Sequence, residues 1–401
     1  MDKNRRQRYA NHIRTLWLHS KHEVDDLEFG WEGRFHAKLT SLSFPILRDL
    51  SISTYPWSEE DHYAPIRNPI PYSQPLMKTL RILDLQGPGG VVICDEFLLA
   101  LSSQSKNLEK LDVCIFLILS PPLSKLWPEP IESMSSEAFL NLSRMPLLLE
   151  LEIPVIQGVW TEGLELGAFT ALQNLDCQID SCGLERILNL VPRLHKLSIR
   201  AMAKATDILS IIARAKLVWL AELKVTPCAR TKISVHDLFS IADNVADMKY
   251  FHIRPVYTRD VDQAVIDGLD DTKLLALAQR LPKLRAFRLL FGGSILTDRS
   301  LISLVTQCPE LDFCWLSATV DYQKLIKEAP LGTFTNLENL KIWEPDGNGA
   351  KKIEINDLQS MVKALTKLMP KLAFPDFPAH PDLSLSLEEA VSGRRSFDGE
   401  V

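Results

Sequence analysis

Side chains able to do chemistry recur at one place in this chain. Trp17, Ser51, Asp84, Asp112, Glu152, Asp176, Ser198, Lys224, His252, Arg288, Trp315 and Lys341 each stand between the second and third apolar residues of an L-x-x-L-x-L spacing. From Asp84 to Asp176 the series is acidic, and from Lys224 to Lys341 it is basic with an aromatic member. The next outward place adds Arg200, Arg254 and Trp343 to the basic half, and the preceding one adds Tyr250 and Phe313. Guanidinium groups hold carboxylate and phosphate through paired hydrogen bonds, and aromatic side chains anchor interfaces. Arg200, Lys224, Tyr250, His252, Arg254, Arg288, Phe313, Trp315, Lys341 and Trp343 are therefore the candidate binding set. The expected ligand is an acidic or phosphorylated segment of a protein substrate.

Other candidates yield little. Gly87, Pro88, Gly89 and Gly90 form a glycine-rich turn, but no Lys-Ser/Thr follows to hold phosphates. His19 and His22 lie near Glu23, Asp25 and Asp26 without a third convergent ligand, and are expected to be surface residues rather than a metal site. Cys177 and Cys182 have no second pair to complete a zinc signature. Neither a nucleophile elbow nor a kinase signature occurs. The chain is expected not to be an enzyme and to use no cofactor or metal.

The elements that position the series follow from the same spacing. Copies of L-x-x-L-x-L begin at Ile13, Leu47, Leu80, Leu108, Leu148, Leu172, Leu194, Leu220, Met248, Leu284, Leu311 and Leu337, with a poorer one at Leu372. Steps of 22 to 40 residues fall in the leucine-rich-repeat range. Side chains alternate along a strand, so the apolar places face a core and the residue between them faces outward. Helical stripes follow, such as Leu184, Ile187, Leu188, Val191 and Leu301, Leu304, Val305, Cys308. Thr297, Asp298 and Asp237 are expected to sign helix starts. Pro45, Pro146, Pro192, Pro282, Pro309 and Pro370 each lie two residues before a first apolar strand residue, where a helix must stop. The expected fold is an α/β leucine-rich-repeat solenoid, a curved horseshoe with concave strands and convex helices in about 12–13 irregular repeats. The places after each strand lack an asparagine ladder, so its curvature is expected to be irregular.

Composition sets outer bounds. Hydrophobic residues make up 46% and charged residues 24%, an ordinary balance for a folded protein. A net charge of −6 disfavours generic nucleic-acid binding. No apolar run approaches the roughly 20 residues of a membrane span, so neither nucleic acid nor membrane is an expected partner. The start, with Lys3, Arg5, Arg6 and Arg8, lacks the apolar stretch of a secretory signal. Cys114, Cys177, Cys308 and Cys314 fall on strand or stripe places and are expected to be buried free thiols, consistent with a cytoplasmic or nuclear protein. The organisation expected is a basic lead-in over 1–12, the repeats over 13–374, and a disordered tail over 375–401. Proline-rich or polar insertions are expected near 54–75, 120–135 and 255–271.

The order helix, Pro-x-Leu, strand resembles the repeat region of F-box proteins, especially the large fungal sets. Tyr9-Ala10-Asn11-His12-Ile13-Arg14-Thr15-Leu16 is similar to the segment opening their repeats. The resemblance covers residues 8 to 372 and implies substrate recognition, with cullin-ring ligase subunits as partners. An upstream F-box would do the docking; this chain starts at the repeats, and the expectation is an F-box-like adaptor without its docking module. A stand-alone repeat scaffold unrelated to ubiquitin is the alternative, and an enzyme or GTPase regulator acting through the concave face is a third.

Overall fold

In the computed structural model the described residues are 3–21, 42–55, 66–67, 75–87, 91–92, 95–115, 134–202, 205–228, 231–245, 247–254, 265–291, 296–330, 332–343, 355–376, 383–388 and 390. The chain divides into two units, Met1–Leu194 and His195–Val401. Each is mixed α/β, with helices connecting strands that pair in parallel.

In the first unit, strands Thr15–Lys21, Asp49–Tyr55, Ile82–Gly87, Lys110–Ile115, Glu150–Ile156 and Asn174–Ile179 lie side by side in that order. In the second the order is Lys196–Ala201, Glu222–Thr226, Tyr250–Ile253, Ala286–Leu289, Phe313–Ser317, Asn339–Trp343 and Phe374–Asp376. Each strand opens at the third place of its L-x-x-L-x-L copy, the poorer one at Leu372 included. The register then aligns the apolar places. Leu50, Leu83, Leu111, Leu151 and Leu175 are level in one unit. Leu197, Leu223, Phe251, Phe287, Cys314 and Leu340 are level in the other. All of these are buried, and the Phe251 and Phe287 rings stack at 5.8 Å.

Backbone groups set the strand entry. The N–H of the first apolar residue donates to the carbonyl three residues back, as Leu194 does to Val191, Leu284 to Leu281, Leu311 to Cys308 and Leu372 to Met369. Proline at 192, 282, 309 and 370 thus occupies the second place of a turn, where its fixed φ is favourable. Units without that proline close the same turn, as Leu108 does onto Ser105 and Leu337 onto Phe334. One carbonyl per repeat next accepts two N–H groups from the following repeat: Arg48 takes Arg81 and Ile82, Ala221 takes Lys249 and Tyr250, and Lys249 takes Arg285 and Ala286. Both lone pairs of that oxygen are used, so successive strands start level with no asparagine side chain required.

Helices Ser181–Leu188, Val235–Asn244, Asp271–Arg280 and Asp298–Gln307 bury the stripes read from sequence, for example Leu184, Ile187 and Leu188, or Leu301, Leu304 and Val305. Thr297 caps its helix as expected, accepting from the Arg299 N–H. Asp237 does not: Ser234 caps that helix, and Asp237 sits in its first turn accepting from Ser210 Oγ at 2.6 Å. A hydroxyl at the extended cap residue reaches the free N–H groups, which a residue already inside the helix cannot.

The expected insertions lie mostly outside the described residues, at 56–65, 68–74, 120–133 and 255–264. At the basic lead-in, Lys3–Ala10 is helical. The tail expected to be disordered from residue 375 is ordered further along. Residues 383–388 are helical with Leu383 and Leu387 fully buried, and Ser384 Oγ donates to the Pro375 carbonyl at 2.9 Å. Two leucines one helical turn apart supply an apolar stripe that the charge of the surrounding segment concealed. Among the described residues no helix is long and apolar enough to cross a membrane.

Candidate functional site

In the second unit the pairing register turns the basic series into a continuous row. Ser198, Lys224, His252, Arg288, Trp315 and Lys341 stand level on successive strands. Strand neighbours are about 4.8 Å apart, so adjacent members meet side by side. Phe313 stacks with Trp315 at 5.0 Å between ring centres, and its ring is 5.9 Å from that of His252. The Arg288 guanidinium lies over the Trp315 indole at 3.6 Å, and Lys341 Nζ is 5.2 Å from the same ring. Lys224 and Tyr250 are exposed, while His252, Arg288, Phe313, Trp315 and Lys341 are half-buried. Arg200, Arg254 and Trp343 are also half-buried and sit one outward step further along the chain, Arg254 just past the end of its strand. Ser198 departs from expectation. It holds the outward register yet is only 3% exposed, a short side chain level with the much longer Lys224.

This surface is strongly cationic. Burial, then the charges of Arg288, Lys224 and Lys196, push the His252 imidazole down to about 4. His252 Nε2 is enclosed and has no hydrogen-bond partner among the described residues. A row of donors, exposed at Lys224 and half-buried at Arg288 and Lys341, beside stacked aromatic rings can hold a planar or tetrahedral anion.

The first unit carries the opposite charge at equivalent places. Ser51, Asp84, Asp112, Glu152 and Asp176 are level across its strands, and Trp17, level with Ser51, is 70% exposed. Ser51 Oγ donates to Asp84 Oδ2 at 3.0 Å. Asp112 holds the outward register expected of it, yet is only 7% exposed. Side chains on both flanking strands crowd it, and burial, then Glu152 and Asp84, push its carboxyl up to about 7. Lys110 Nζ lies 3.7 Å from Asp112 Oδ2 and 3.6 Å from Glu150 Oε2, partly relieving the row.

Lys110, Lys196 and Glu222 were missed as contributors, although strand alternation places them outward just before the chosen series. Lys196 pairs with Glu222 at 3.1 Å. Among the described residues no group of three or more His, Cys, Asp or Glu side chains could hold a metal. His22 and Gly89 lie outside the described residues. Cys177, Cys308 and Cys314 are buried thiols, and burial raises Cys308 and Cys314 to about 12.

No protein-family model matches this chain, and no curated protein matches it. Among solved structures it is similar to a chain of the yeast Rad7–Elc1 complex, at 12% identity over 94% of this chain and 89% of that chain, with a TM-score of 0.37.

Proposed function

We propose that this chain is a non-catalytic protein-interaction module, a leucine-rich-repeat solenoid whose second unit takes an acidic or phosphorylated segment of a protein substrate. The observation that carries the reading is the Arg288 guanidinium held over the Trp315 ring beside Lys341 and Phe313. Parallel sheets are usually covered on both faces, yet this strand face leaves Lys224 and Tyr250 exposed. A guanidinium stacked on an indole is pre-oriented, so less freedom is lost when its N–H edge meets a carboxylate or phosphate. Aromatic and arginine side chains in a half-buried cluster are also the composition of interface hot spots.

Titration of the protein with a glutamate-rich or phosphoserine peptide tests this. Lys224→Glu, at an exposed position, should weaken binding about tenfold or more without shifting the melting temperature. Binding untouched by that reversal and by added salt would move the site elsewhere.

The finer reading is substrate recognition within an F-box-type ubiquitin-ligase adaptor in the cytoplasm or nucleus. It is supported by the Pro-x-Leu repeat pattern. Co-purification of cullin-ring ligase subunits with the protein is the expected result. Their consistent absence would leave a stand-alone scaffold.

A further inference from the structure

Building on the anion-binding reading above, we propose that the partner's anionic group seats between Lys224 and Arg288 over His252, and that His252 takes up a proton as it binds. Register places Lys224 and Arg288 on either side of His252, one strand away each. Two strand spacings amount to roughly 10 Å, a span that a long lysine and a long arginine side chain close from both ends onto one carboxylate or phosphate. Arg288 is steadied by Trp315, and the Phe313 ring, from the same strand as Trp315, lies 5.9 Å from the imidazole.

The surroundings of His252 explain the proton. Lys224 and Lys196 face it from the preceding strands, Arg288 from the following one, and Tyr250 and Arg254 flank it along its own chain. Phe313 and Trp315, from the strand beyond Arg288, carry no charge. Arg200 adds a further positive charge on the Lys196 strand, and the acid Glu222, on the Lys224 strand, is engaged by Lys196. The ring is therefore neutral at pH 7, and among the described residues its enclosed Nε2 has no hydrogen-bond partner. Burial, the larger cause of the low value, stays in place, and an anion that offsets Lys224 and Arg288 removes the repulsion that adds to it. The imidazole then rises part of the way from about 4 toward its ordinary value of about 6.5, and accepts a proton from solvent as the pH falls. The protonated ring adds a third positive charge to the grip. This coupling acts through the field, so it needs no direct bond between the anion and Nε2.

The chemistry shared by the ligands is a carboxylate or a phosphate monoester on an extended peptide, and two probes separate them: an octaglutamate peptide and a phosphoserine peptide of the same length. Calorimetric titration of the full chain is run from pH 7 to pH 5.5 in buffers of different ionisation enthalpy. For octaglutamate, affinity should rise on the order of three- to tenfold over that interval, with net proton uptake. The phosphopeptide should rise less, because its own second ionisation lies near about 6. Whichever peptide binds more tightly at pH 7 names the natural ligand class. His252→Gln should remove the rise, whatever its affinity at pH 7. Binding with an undiminished rise in His252→Gln, or with no proton uptake, overturns the inference and leaves the anion-binding reading standing. Failure of both peptides to bind at any pH overturns both. Should His252→Gln not fold, the NMR titration of the wild-type ring decides: a pKa raised by octaglutamate supports the proposal, and an unmoved one overturns it.

Discussion

Arg288 and Trp315 stand level on neighbouring strands, and the guanidinium carbon of one is 3.6 Å from the ring centre of the other. A cation over an aromatic face at that range contributes about 0.5 to 2 kcal/mol, more as water is excluded. A double-mutant cycle with Arg288→Gln and Trp315→Leu, read by denaturant unfolding, should return a coupling of about 1 kcal/mol. A coupling within error of zero would mean that the two side chains merely lie together, and Arg288 would lose its claim to be pre-oriented.

The register also separates inward from outward residues sharply enough to test. Leu197, Leu223 and Leu340 are fully buried, whereas Lys224, next to Leu223, is exposed. Leu223→Ala should cost about 2 to 5 kcal/mol through lost transfer energy and the cavity left behind. Lys224→Ala should stay within about 0.5 kcal/mol. Thermal melts showing equal losses for the two would contradict the strand register.

Much of this was legible before any coordinates. Strand places, helix stripes and the proline at the turn follow from spacing, because apolar periodicity records which side of an element meets the core. The arrangement on the outward face was legible only in sign. That Arg288 would lie over Trp315, or that Asp112 and Ser198 would be enclosed, depends on how residues some 30 positions apart line up across strands. One repeat does not encode that alignment. It is set by the carbonyls of Arg48, Ala221, Lys249 and their counterparts, each accepting two N–H groups. Backbone groups leave no trace in residue type, and that is why an absent asparagine ladder was an incomplete guide to the stacking of these units.

Asp180 joins two segments of the first unit. One carboxylate oxygen accepts from the Gly183 N–H as a helix cap, and the other accepts from the Gly158 N–H, both at 2.7 Å. A methyl group on Gly158 would come within 2.7 Å of Asp180 Oδ1, too close without breaking these bonds. Asp180→Ala should therefore cost about 1 to 3 kcal/mol, since it removes a cap and strands a second N–H. Gly158→Ala should be destabilising on its own and nearly neutral in an Asp180→Ala background. Additive losses, measured by chemical denaturation of the set, would show that the two residues act independently.

The acidic row predicts an unusual pH profile. Burial first, then Glu152 and Asp84, hold the Asp112 carboxyl at about 7, whereas an unfolded aspartate titrates near about 4. Between those values the folded chain keeps a proton that the unfolded chain has released. Stability contributed at Asp112 is then complete below about 4, declines as pH rises, and is lost once pH passes about 7. Asp112→Asn fixes the neutral form and should abolish this loss. The comparison is the difference between wild type and Asp112→Asn in denaturant midpoint at pH 5 and pH 8, which cancels the titration of groups that do not interact with Asp112. The variant should gain on the wild type at pH 8 relative to pH 5. A difference that does not change with pH would mean that Lys110, 3.7 Å away, already holds the Asp112 carboxylate ionised.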